Sequence, residues 1–175
     1  MIRLVNIAVR KVVRLGAPVL RLEAKPLSHK EILSPEIQRL IEEMAASMDE
    51  YEGVGIAAPQ VGESLSLFLI GLSPGSPRHP AGIETTVVFN PKARFIGSKK
   101  TTDWEGCLSA PGLRGQVERY LKLELSGLNQ NAQAFKRIYE GFPARVVQHE
   151  CDHLMGKVYL DRMKDLSSLS YASSN

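Results

Sequence analysis

The sequence predicts one domain of mixed helices and antiparallel strands. Three observations point there. The chain has 175 residues, 43% of them hydrophobic, which suits a sizeable core in a single domain. Two segments space their apolar residues as helices do, between recognisable start and stop signals. A third alternates apolar and polar residues as a half-buried strand does.

The opening MIRLVNIAVRKVVRLG mixes basic with apolar residues and so lacks the apolar core of a secretory signal. It carries several Arg and Lys before its first acid, Glu23, a faint likeness to an organelle-targeting segment, but it is read as an ordinary N-terminal strand or arm. Ser34 and Pro35 then start a helix, as a capping residue and a favoured first helical residue. Ile37, Leu40, Ile41, Met44 and Met48 give it one core face.

The glycine-rich GVGIAAPQVG at 53–62 reads as a loop leading into SLFLIGL, whose continuous apolar run marks a buried strand. SPGSPRHPAG at 73–82 is dense in Pro and Gly and reads as an exposed connection, followed by a strand in TTVVFNP. From 115 to 128, GQVERYLKLELSGL alternates at Leu121, Leu123 and Leu125. NQNA marks a turn before AFKRIYE, so these segments predict antiparallel strands in a hairpin. Gly141 and Pro143 open a second helix through ARVVQHECDHLM, with Gly156 placed to end it. The Ser-rich end, SSLSYASSN, has little to bury and is expected to fray.

Lys and Arg exceed Asp and Glu by three, with no bunching, which points to neither a nucleic-acid surface nor a membrane-binding face. No run approaches membrane-spanning length. Two cysteines, Cys107 and Cys151, make no disulfide framework and suit a reducing compartment.

His149-Glu150-Cys151-Asp152-His153 is an H-E-x-x-H motif. Its imidazoles lie one helical turn apart on one face and can reach one metal ion. Glu150 is placed to contact a water there as general base. Zinc peptidases with this motif take a third ligand from downstream, but the metzincin position holds Tyr159 and no Glu or His follows His153. The third ligand must come from upstream or from an Asp. Cys151 points about 200° away from His149 by helical geometry and reads as a core cysteine. Cys107, in WEGCLS, would complete a three-residue site. Three protein ligands with one open position is a catalytic layout, whereas a structural zinc site is closed by a fourth.

Three segments, GVGIAAPQ at 53–60, EGCLS at 105–109 and QHECDHLMG at 148–156, together resemble the peptide deformylase family in order and spacing, over roughly residues 10 to 165. The resemblance implies an α+β domain with antiparallel strands packed around the central H-E-x-x-H helix, a catalytic domain at 1–165 and a polar tail at 166–175. It implies that Cys107, His149 and His153 hold the metal and that Glu150 moves the proton. Gln60 and the backbone N–H of Leu108 would stabilise the oxyanion. The substrate peptide would lie as an added strand along Val54, Gly55 and Gly106, with Arg114 lining the cleft.

The implied activity is removal of the N-formyl group from the formylmethionine of new polypeptides, by attack of a metal-bound water. The implied cofactor is one divalent metal, Fe2+ in the cell, with Zn2+ or Ni2+ in purified protein. The implied partners are N-formylmethionyl nascent chains, with transient ribosome association and neither membrane nor sequence-specific nucleic acid. The implied place is a bacterial cytoplasm, with an organelle as the alternative. The departures from the family are small. Glu118 stands where relatives often have proline and Ala132 where many have a turn glycine, and the short polar end lacks the long helix some members carry.

Three other readings remain beside it: a metal-free hydrolase with Cys107 as nucleophile, a non-catalytic module that keeps the metal, and a full metalloprotease. The first leaves Glu150 and the histidine spacing unexplained. Gly53, Gly55 and Ala58 fit a loose dinucleotide-binding pattern, which fails because no strand precedes them. His29, His79 and Trp104 receive no role.

Overall fold

Ser28 and Ser34 each start a helix. In the computed structural model, which describes residues 7–77 and 79–172, the Ser28 hydroxyl accepts from the Glu31 N–H while the Glu31 carboxylate accepts from the Ser28 N–H. This reciprocal cap opens the one-turn helix α1 (His29–Ile32). Ser34 caps α2 (Pro35–Glu50) through the Ile37 N–H, with Pro35 in its first turn. The apolar stripe predicts α2. A single turn shows no period, so α1 leaves no such mark.

The glycine-rich segment holds more than a loop. Gly55–Ala57 form the strand β1, and Ala58–Val61 make a 3-10 turn that ends at Gly62 in the left-handed region, φ 90°. The chain continues through β2 (Leu67–Leu72), β3 (Ile83–Phe95), β4 (Lys100–Cys107), β5 (Ala110–Tyr120), β6 (Lys122–Leu128), β7 (Ala134–Glu140), helix α3 (Phe142–Leu154) and β8 (Ser170–Tyr171). Strands β1-β2-β3-β6-β7 form one antiparallel sheet and β4-β5-β8 another.

The apolar run of β2 is explained by burial on both faces. Leu67 and Leu69 share a core cluster with Leu40, Ile41 and Met44 of α2. Phe68 and Ile70 share another with Val146 and Val147 of α3. Each such side chain stabilises the fold by about 1.5–3 kcal/mol, and a one-residue slip would exchange the two faces, so the packing pins the register. Helix α3 therefore lies against the larger sheet, and it also touches β5 of the smaller one.

Gly141, at φ 67°, precedes α3, and Pro143 sits in its first turn. The helix ends at Gly156, φ 66°, where a Cβ would lie 2.7 Å from the Arg21 carbonyl carbon. Only glycine fits that conformation and that space.

Two expectations change. Residues 115–128 are not one strand: the chain turns at Leu121, whose carbonyl accepts from Gly141 N–H, and β5 and β6 join different sheets. Alternation alone does not show which strands pair. The hairpin is the pair β6–β7, turned through Asn129, whose side-chain oxygen accepts from the N–H groups of Asn131 and Gln133. Strand β4, a polar run, was not foreseen.

The tail expected to fray at 166–175 is ordered where it is described. Leu166–Ser168 form a 3-10 turn, and Ser170–Tyr171 pair with Arg114 and Leu113 of β5. Backbone and hydroxyl hydrogen bonds hold it in place of apolar burial. The N-terminal segment, from residue 7, runs as an arm. Val13 N–H donates to Gln60 O and Leu15 N–H to Ser109 O, 2.9 Å each, and Val12 is buried. The first six residues of that opening stretch lie outside the described residues.

Candidate metal centre and active site

Helix α3 presents His149 and His153 one turn apart, ring centroids 5.0 Å from each other. Cys107, at the end of β4, brings its Sγ to 3.3 Å from His153 Nε2. One ligand atom from each of Cys107, His149 and His153 lies within 4.8 Å of the others. These are residues that could hold a divalent metal, and a thiolate with two imidazoles is a suitable donor set for one.

Further residues aim these side chains. Glu105, two residues before Cys107, places Oε2 2.9 Å from His149 Nδ1, which leaves the other ring nitrogen for the site. The same carboxylate accepts from Arg119 Nε and Nη2 at 2.9 Å and from Arg145 Nη1 at 2.8 Å. Arg119 also donates to Asp152 at 2.6 Å, which Arg162 holds from the other side. Burial alone would raise the Glu105 carboxyl, but the bonds from Arg119 and His149 outweigh it and hold it well below the usual carboxylate range.

The imidazoles differ. Burial, with the His149 and Arg119 charges, pushes His153 well below the ordinary histidine value, toward the neutral form that binds metal. Its Nδ1 is buried without a partner among the described residues. Burial also opposes charge on His149, but hydrogen bonds with Cys107 and Glu105 win and raise it. The surroundings thus favour a positive charge at that point, whether proton or metal ion.

Glu150 is 3% exposed, and its Oε2 has no partner among the described residues. Burial pushes its carboxyl up to about 7. Gln60 is oriented by its own loop: its Oε1 accepts from Ala57 N–H at 2.9 Å, so its NH2 points inward, 3.4 Å from both Cys107 Sγ and Ser109 Oγ.

Val54, Gly55, Gln60, Gly106, Cys107, Leu108, His149 and Glu150 all line one cavity of about 410 Å³. Arg114 is not among the residues that line it. Its guanidinium lies over the Trp104 ring, 4.7 Å from the centroid, and its Nε is buried without a partner among the described residues. Arg14, Phe142 and Ala172 line the cavity and carried no signal in the sequence. Cys151 lines a separate cavity on another side of the helix, and burial pushes its thiol up to about 12. Glu105, Arg119 and Arg145 were also missed, although Glu105 stands inside the EGCLS segment.

The family model described as polypeptide deformylase matches residues 9–168. The chain belongs to the polypeptide deformylase family. A peptide deformylase of Leptospira biflexa is 38% identical over 94% of this chain and 93% of its own. Peptide deformylase 2 of Ralstonia nicotianae is 41% identical over 93% and 92%.

Among solved structures, the Met-Ala-Ser-bound class I type b peptide deformylase of Acinetobacter baumannii superposes with a TM-score of 0.84 at 38% identity, over 90% of this chain and 99% of that one. The peptide deformylase of Thermotoga maritima gives 0.79 at 33%, over 90% and 99%. Deformylases remove the formyl group from an N-terminal methionine and depend on a metal. The α+β fold with antiparallel sheets is theirs.

Proposed function

We propose that Cys107, His149 and His153 hold the metal of this deformylase and that Glu150 is its general base and acid. The observation that carries this is Glu150 itself: a buried carboxylate with one oxygen unpartnered among the described residues, in the same cavity as Cys107 and His149, whose ligand atoms lie within 4.8 Å of that of His153. A divalent ion bound there would supply a Lewis acid and make water acidic enough to deprotonate near neutrality. Glu150 takes the proton of the attacking water and returns it to the methionine nitrogen as the C–N bond breaks. Burial, which raises the Glu150 carboxyl, helps it hold the proton between the two transfers. Gln60 Nε2 and the Leu108 N–H donate to the oxyanion, each worth about 3 kcal/mol of barrier.

The substrate peptide adds as a strand along Val54 and Gly55 on one side and Gly106 on the other. Strands β1 and β4 are the terminal strands of their sheets, so each offers backbone groups to such a strand. Phe142 and Val146 supply apolar surface for the methionine side chain. Arg114 serves peptide residues farther along, swinging off Trp104. The metal in the cell is Fe2+, with Zn2+ or Ni2+ able to replace it, since one thiolate and two imidazoles suit several first-row ions. The substrates are N-formylmethionyl nascent chains in a bacterial cytoplasm, met during transient contact with the ribosome.

The test is to purify the protein without oxygen, measure metal per chain, and assay formate release from formyl-Met-Ala-Ser with and without a chelator. About one metal and chelator-sensitive release are expected. In Glu150→Gln the metal should stay while turnover falls by at least ~10². Full activity without metal would instead make Cys107 the nucleophile, and near-normal turnover of the variant would remove Glu150 from the mechanism.

A further inference from the structure

We propose that the C-terminal strand β8 forms the outer wall of the substrate cleft, with Ala172 and Tyr171 contacting peptide residues beyond the methionine. The inference rests on the deformylase reading of the cleft and adds a substrate contact from a segment whose sequence advertises none.

The segment is anchored by polar groups. Asp165 caps the turn at Leu166–Ser168 through the Ser167 N–H, 2.8 Å. Ser168 Oγ accepts from Gln116 N–H at 3.1 Å. Tyr171 then pairs with Leu113 and Ser170 with Arg114, and Ala172 N–H donates to Gly112 O at 2.7 Å. These bonds carry the chain along β5 and deliver Ala172 to the cavity that also holds Cys107 and Glu150.

Pro111, Gly112 and Leu113 of β5 stand in the same lining, and Ala172 is bonded to Gly112. Phe142 and Val146 of α3 are assigned to the methionine side chain, whereas Ala172 enters the lining from a different element, β8 of the smaller sheet. A peptide bound as a strand advances about 3.3 Å per residue along the cleft, and we assign the β8 wall to its second and third residues. Tyr171 is outside the lining of the cavity itself but at its rim, with an atom 4.0 Å from where a Cβ on the lining residue Gly112 would stand, and the residue is 80% exposed. A large aromatic left this open beside a cleft offers apolar surface for a bound peptide to cover.

The experiment compares the intact chain with one ending at Leu169 and with the full-length variants Tyr171→Ala and Ala172→Pro, the last of which removes the N–H that bonds Gly112. KM and kcat are measured for formyl-Met amide and for formyl-Met-Ala-Ser. The expected result is that the ratio of KM for the longer substrate to KM for the shorter rises about fivefold in the truncated chain and in at least one point variant, a contact of about 1 kcal/mol. An unchanged ratio in all three overturns the proposal. So does a loss shared equally by both substrates, because that marks a merely structural role. Formate release from formyl-Met amide by the intact chain checks the deformylase reading separately. Its absence would overturn that reading and this inference with it.

Discussion

A Cβ on Gly55 would stand 2.8 Å from the carboxyl carbon of Glu150 and 3.0 Å from its Cγ. Strand β1 therefore passes α3 as closely as two backbones with one acidic side chain between them allow. The glycine is needed for space: Gly55 does not have a left-handed φ. In Gly55→Ala the strand or the carboxylate must shift. A misplacement of about 1 Å can cost about 10² in rate, so kcat/KM should fall by about that factor while metal content is unchanged. Formate release and metal analysis on one preparation check this, and a variant as active as the parent would show that Glu150 tolerates the shift.

Glu105→Gln keeps the size of the side chain but removes the charge that orients His149 and balances Arg119 and Arg145. Loss of such an outer partner weakens metal binding by about 10- to 100-fold. Competition against a chelator of known affinity measures it, and an unchanged dissociation constant would mean that Glu105 serves the arginines alone.

Arg119→Met leaves Glu105 without two hydrogen bonds and takes one partner from Asp152, in a place where both carboxylates are almost fully buried. Breaking one side of a buried ion pair costs about 3–5 kcal/mol. Urea unfolding of the metal-loaded protein should show a loss of that order. A loss under about 1 kcal/mol would show that Arg145 and Arg162 compensate.

Cys151 should resist alkylation. Burial disfavours its charged form, so the thiol titrates up toward about 12 and the reactive thiolate appears only as pH approaches that value. At pH 8 about one molecule in 10⁴ carries the thiolate. Mass spectrometry after iodoacetamide treatment should find Cys151 unmodified at pH 8 in the folded protein and modified in urea. Rapid labelling of the folded form would mean that its cavity opens.

Much of the centre was legible in the sequence because its signals are local. Two histidines and a glutamate within one turn declare a shared helix face. Pro143 and Gly156 bracket the helix that carries them, and Cys107 emerged once the downstream ligands ran out. Gln60 stood in a recognisable loop, but its orientation came from the bond to Ala57 N–H. Arg114 matched a family position, and the fold stacks it on Trp104 outside the cavity lining.

The elements without local marks were missed. Helix α1 is one turn long, β4 is polar, and β8 is held by backbone bonds to a strand nearly 60 residues away in sequence. The residues around the ligands share that property. Arg119, Arg145 and Asp152 are ordinary charged residues until β5 and α3 pack, and only then do their charges become buried and need one another.

By itself the sequence determined what depends on spacing along one element: the face of α3 that carries both histidines, the apolar stripe of α2, the buried run of β2 and the capped helix ends. Tertiary structure decided what depends on partners far apart in the chain: which sheet each strand joins, which buried charges pair, and that Ala172 reaches the cleft. Periodicity is written into neighbouring residues. Pairing between distant segments is decided only when the whole core closes and every buried polar group must find a partner.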